Sequence, residues 1–113
     1  MILITKPLWG EKILSGEKTW DVRSSKTSHI GRIRIAFSGT NKKYGEVTLT
    51  ECIPLTKELF EQNRDRHCIP DSWEDVCKSY PKPVAWVMED PEVYKKPIPY
   101  TTHRGAVVWV NED

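Results

Sequence analysis

The sequence predicts an α+β domain: a curved, mostly antiparallel or mixed sheet or small barrel of about six strands, flanked by three short helices. Two observations predict it. Segments with the alternation of strands outnumber those with helical spacing. Their order is strand, helix, three strands, two helices, two strands, which has more strands than a parallel βαβ fold would use and lets neighbours pair as hairpins.

The elements follow in order. Ile2 to Thr5 reads as a first strand, and Pro7 opens a helix over Leu8 to Ser15, since proline suits a first helical turn. Trp9 and Ile13, four apart, share a face of it. Gly16 follows at the helix end, where a left-handed residue is commonly needed. Lys18 to Ser24 favours extended backbone through Thr19, Trp20 and Val22. Gly31 to Ser38 alternates, with Ile33, Ile35 and Phe37 on one side and Arg32, Arg34 and Ala36 on the other. After the Ser38-Gly39-Thr40-Asn41 turn, Tyr44 to Ile53 alternates again, with Val47, Leu49 and Glu51 in one row and Gly45 marking a bulge.

Thr56 caps a helix that runs to about Arg66, with Leu59, Phe60 and Asn63 on its inner side. Asp71 and Glu74 form a capping-box variant opening another, which ends near Tyr80. Val84 to Met88 is a strand. The three prolines between Asp90 and His103 make that stretch an ordered loop or edge segment. Arg104 to Asn111 is a final strand, nearly all apolar and therefore expected to be central.

At 113 residues the chain has room for one core, so residues 1–113 are read as a single domain. No apolar run approaches the roughly 20 residues that span a bilayer. The N-terminus lacks a basic segment followed by an apolar one, so no secretory signal is visible. Cys52, Cys68 and Cys77 are an odd number without CxxC spacing, a poor disulfide framework and a poor zinc site. Reduced thiols in the cytoplasm, with no metal and no cofactor, are expected. A net charge of +1 argues against a long phosphate-tracking groove but leaves room for a local basic patch.

The densest polar signal is the run from Ser15 to Ser24. In a strand, Thr19, Asp21 and Arg23 share one face, with Asp21 and Arg23 about 7 Å apart by the strand rise. Lys18 stands at the strand mouth, where its flexible stem can turn inward. Arg23 can fork onto a phosphate or a carbonyl-rich base edge. Lys18 can act as a point charge, or as a base once burial lowers its pKa. An ordinary strand with a surface ion pair would carry the same residues. Ser38 and Thr40 offer hydroxyls and backbone N–H groups in a turn, which suits an anion or nothing at all. Trp9 and Trp20 flank the run and can stack on a base, although Trp20 shares a face with Val22 and is read as packing. His29, His67 and His103 are possible acids or bases, a role lone histidines fill less often than a structural one.

Gly16-x-Lys18-x-x-Asp21-x-Arg23 resembles the G-x-K-x-x-E-x-R signature of ASCH domains, members of the PUA-like superfamily, with Asp in place of Glu. The Lys6-Pro7-Leu8-Trp9 helix start, the Gly31 to Ile35 strand, the Gly45-Glu46-Val47 strand and the Arg104 to Val110 strand look like family elements in family order. The resemblance implies a PUA-like β-barrel with flanking helices and a cleft, lined by the motif, for RNA or a nucleotide. Trp9, Lys18, Asp21, Arg23, Ser38 and Thr40 are then the expected ligand contacts. One bacterial ASCH subfamily hydrolyses N4-acetylcytidine without metal, using a lysine, a threonine and a glutamate. Its lysine matches Lys18, its threonine falls on Asp21, and its glutamate falls near Arg66-His67-Cys68. If this chain is an enzyme of that kind, Lys18, Asp21 and His67 are the expected catalytic residues. A protein-interaction module, in which the motif serves as structural ion pairing, is a further reading.

Overall fold

The computed structural model describes residues 1–101 and 108–111. Strand β1 (Ile2–Thr5) leads to helix α1 (Pro7–Ser15), then β2 (Trp20–Arg23), β3 (Gly31–Phe37) and β4 (Lys42–Pro54). Helices α2 (Lys57–Gln62), α3 (Arg64–His67) and α4 (Trp73–Ser79) follow, then β5 (Val84–Pro99) and β6 (Trp109–Val110). The six strands form one curled sheet in the order β2-β5-β4-β3-β1-β6, a half-barrel in a mixed α+β fold. Pairing is antiparallel except between β1 and β3.

Local chemistry accounts for the frame. Pro7 opens α1, and Gly16, at φ 86°, closes it in the left-handed region, its N–H donating to the Ile13 carbonyl. Ile33, Ile35, Val47 and Leu49 bury the inner rows of β3 and β4. They pack with Ile13 and Leu14 of α1, and with Trp86 and Met88 of β5, in the main core. Ala36, expected to face outward, is also buried, because it packs with Ile2 and Val110. Gly45 falls at a register shift between β4 and β5. A side chain there would meet the Glu92 carbonyl at 2.3 Å, so only glycine admits the crossing. A further shift after Leu49 turns Glu51 out to solvent.

Several expectations are corrected. Among the described residues four helices flank the sheet, not three, because the segment after Thr56 breaks at Asn63, whose φ of −124° is not helical. The cap of α4 is Ser72, which accepts from the Asp75 N–H, rather than Asp71. For the proline-rich stretch after Met88 the edge alternative holds over the loop, and β5 continues as strand to Pro99. It is an edge there, since β2 covers only Val84 to Val87, and an edge tolerates proline. The final strand, expected to be central, lies at the sheet's end against β1. Its expected start, residues 104–107, lies outside the described residues, as does His103. No helix among the described residues is long and apolar enough to cross a membrane.

The end of the sheet that carries β2 positions the cleft. A second apolar cluster joins Val22 of β2 to Phe60 of α2 and Val76 of α4, with Leu55, Ile69 and Trp73 around them. The α2–α4 layer thus covers one face of β2, while β5 pairs along its edge. Trp20, Asp21 and Val22 are consequently all buried, rather than alternating in and out.

Candidate functional site

A cleft of about 440 Å³ opens between α1 and α4. Asp21, Val22 and Arg23 of β2 form its floor, with Lys18 just before the strand. Thr5, Lys6, Trp9 and Ser38 border it on the α1 side. Ile69, Asp71, Val76, Ser79 and Tyr80 border it on the α4 side.

Lys18 is 2% exposed. Its backbone N–H is held by the Lys12 carbonyl, and the next residue, Thr19, donates to the Arg66 carbonyl. The ammonium donates to the main-chain carbonyl of His67 and stands 4.7 Å from the centre of the Trp9 ring. Burial pushes the Lys18 pKa down, and the nearby Asp21 carboxylate opposes that shift.

Arg23 donates from Nε to Asp21 Oδ2 at 2.9 Å. Its guanidinium carbon stands 5.2 Å from the centre of the Trp86 ring. Trp86 is anchored by its own bond to the Ser25 carbonyl, at 2.8 Å. The two terminal nitrogens of Arg23 make no hydrogen bond among the described residues. A guanidinium held at one nitrogen and one face presents its remaining donors in a fixed plane, the geometry that matches a phosphate or a base edge.

Of the residues expected from sequence, the cleft brings together Trp9, Lys18, Asp21, Arg23 and Ser38. Thr40 lies elsewhere: its hydroxyl donates to the Phe37 carbonyl at 2.8 Å and accepts from the Lys42 N–H, closing the turn. His67 is fully buried and stacked on Phe60. Its Nδ1 accepts from the Ile69 N–H at 3.0 Å, so Nε2 carries the proton and donates to the Phe60 carbonyl at 2.8 Å. Burial lowers its pKa, and its ring serves the fold. What His67 contributes to the cleft is its carbonyl, the acceptor for Lys18. Trp20 packs as expected, buried, with the Arg66 guanidinium 5.9 Å from its ring centre.

Sequence reasoning missed the α4 wall. Val76, Ser79 and Tyr80 are spaced to share a helix face, but nothing local marks that face as bordering a cleft. The three cysteines are free, and no cluster of three or more metal-ligating side chains occurs among the described residues.

The family model of the ASCH domain matches residues 3–98. The crystal structure of ASCH from Zymomonas mobilis superposes with a TM-score of 0.70 at 17% identity, covering 87% of this chain and 71% of that one. Two single-substitution mutants of the Zymomonas mobilis protein also superpose at 0.70, with 19% and 18% identity, covering 87% of this chain and 73% and 72% of theirs. At such identities the likeness shows the fold. Comparison with curated proteins gave no match.

Proposed function

The chain belongs to the ASCH domain family, and from that premise we propose that its cleft binds RNA or a nucleotide through Lys18, Asp21 and Arg23. The observation that carries this reading is Arg23, held by Asp21 and Trp86 with its terminal nitrogens unbonded among the described residues at a polar cleft floor. Lys6 at the rim adds a second cation for a phosphate. The Ser38 hydroxyl adds a neutral donor, and its N–H is already committed to the Thr5 carbonyl. Three free cysteines fit a reducing compartment such as the cytoplasm.

The test is an NMR titration of labelled protein with a short single-stranded RNA and with cytidine 5′-monophosphate. Binding is expected to perturb Lys18, Asp21 and Arg23 and to weaken with salt. Arg23→Ala is expected to weaken it about tenfold while the fold survives, in line with a lost charge-assisted contact. Unchanged affinity in that variant would overturn the assignment of the site.

One observation favours a second reading, metal-independent hydrolysis of an acylated nucleobase. Lys18 is buried, its pKa is lowered, and a carboxylate lies near it, as a general base would require. The neutral amine would take a proton from water as the oxygen adds to the acyl carbon. The carbon–nitrogen bond to the base would then break as the lysine returns that proton to the leaving nitrogen, releasing the carboxylic acid, which ionises, and the free exocyclic amine. For N4-acetylcytidine the products are acetate and cytidine. A Lys18 Nζ titration near ~10.4, the ordinary lysine value, counts against this chemistry, as does incubation without product.

A further inference from the structure

We infer that Tyr80 is the stacking residue of the cleft, placed to hold the flat face of a nucleobase whose polar edge meets the floor. The inference rests on the nucleotide-binding reading and names the group that reads the ring of the ligand. Two aromatic side chains border the cleft, Trp9 and Tyr80, and Trp9 is already engaged. One face of Trp9 carries the Lys18 ammonium. Trp20 is buried beneath the Arg66 guanidinium. Tyr80 differs from both. It borders the cleft, is 38% exposed, and makes no ring, cation or side-chain hydrogen-bond contact among the described residues.

The position of Tyr80 is nevertheless fixed. It is the C-cap of α4, and its N–H donates to the Val76 carbonyl at 2.8 Å. Val76, one turn earlier, is buried against Val22 on the floor and Phe60 behind it. The backbone that carries the ring is therefore anchored beside the floor, while Tyr80 itself is an exposed residue of the cleft border. Arg23 and Asp21 lie on that floor with hydrogen-bonding groups, so a planar heterocycle entering between α1 and α4 meets donors at its edge and an open aromatic face at its side. A base offers a flat π-face to the second feature, and stacking of this kind is tolerant of base identity.

The experiment measures affinity by calorimetry and NMR for cytidine and adenosine 5′-monophosphates and for ribose 5-phosphate, using wild type, Tyr80→Ala, Tyr80→Phe and Arg23→Ala. Tyr80→Ala is expected to weaken both nucleotides about tenfold, within the range for loss of one base stack, and to leave any ribose 5-phosphate binding unchanged. Tyr80→Phe is expected to stay within about twofold of wild type. Both Tyr80 variants should stay folded, with Tyr80→Phe melting level with wild type, because the residue is partly exposed and its backbone bond to Val76 remains. Nucleotide affinity unchanged in Tyr80→Ala but lost in Arg23→Ala would overturn the stacking role and leave the site assignment standing. Equal losses for ribose 5-phosphate and the nucleotides would also overturn it, since the ring would then not be reading the base. No nucleotide binding by wild type would overturn both.

Discussion

The ammonium of Lys18 is bonded to the backbone carbonyl of His67, so a lysine of the motif and the last residue of α3 are tied together across 49 residues of sequence. The tie sits in a buried place, where the charged form is disfavoured. It therefore has a pH signature. Below the folded-state pKa of Lys18 both folded and unfolded chains hold its proton. Between that lowered value and 10.5 the unfolded chain holds more, so stability attributable to Lys18 rises with pH across this window. Denaturation of wild type and Lys18→Met from pH 7 to 10.5 should show wild type gaining on the variant as pH climbs. Parallel curves would mean that Lys18 is not perturbed.

The His67 ring predicts a second signature at the acid end. It is neutral, with both nitrogens engaged, and burial lowers its pKa below 6.5. As pH falls through 6.5 the unfolded chain takes up the proton first, and stability is lost progressively down to the folded pKa. His67→Ala removes this slope. It also leaves the Ile69 N–H and the Phe60 carbonyl without their partner and opens a cavity, at a cost of about 2–4 kcal/mol. Urea midpoints at pH 7.5 and 5.0 check both statements. A variant as stable as wild type at pH 7.5 would contradict the buried geometry.

These two residues show what the sequence could and could not reveal. The helix closed by Gly16, the alternation of β3, the Thr56 cap and the Gly45 bulge each rest on chemistry within a few residues, and each is where that chemistry puts it. Asn63 breaks its helix in a segment whose pattern reads as continuous, and the break starts the short turn that brings the His67 carbonyl to Lys18. That demand is tertiary and leaves no local mark. In β5 the prolines did mark an edge or loop, and what chose the edge strand is tertiary: β2 is too short to reach them while β4 pairs alongside. In the cleft, the motif residues were legible because they are close in sequence, whereas Tyr80 enters from a separate element.

Gly10 predicts a packing effect on the α1 wall. A Cβ there would lie 2.5 Å from both Phe37 Cε1 and Thr5 Oγ1. Thr5 is itself fixed by its bond to the Ala36 carbonyl and borders the cleft. Alanine gains about 1 kcal/mol in helix propensity over glycine, but overpacking typically costs 1–3 kcal/mol and here meets two buried neighbours, so the clash is expected to win. Thermal melting should place Gly10→Ala below wild type by several degrees, while Glu11→Ala on the exposed side stays level. A Gly10→Ala protein more stable than wild type would show that α1 is free to shift.

Asp21→Asn separates a binding site from a structural ion pair. The carboxylate bonds Arg23 Nε and lends support to the charge on Lys18. Asparagine keeps an acceptor but loses the charge. The Lys18 pKa should therefore fall further, because the neighbouring negative charge that held it up is gone. Stability should drop by about 1–2 kcal/mol, since the pair is mostly buried and the substitution is nearly isosteric. If Asp21 positions Arg23 for a ligand, nucleotide affinity falls as well, and it falls less at high salt, where the phosphate term is already screened. If the motif is structural pairing alone, the stability loss appears and RNA and nucleotide titrations are the same as for wild type. The two measurements on one variant thus decide between the readings, because charge loss at Asp21 acts on the fold through its pair with Arg23 and through Lys18, and on the ligand only if Arg23 is held for it.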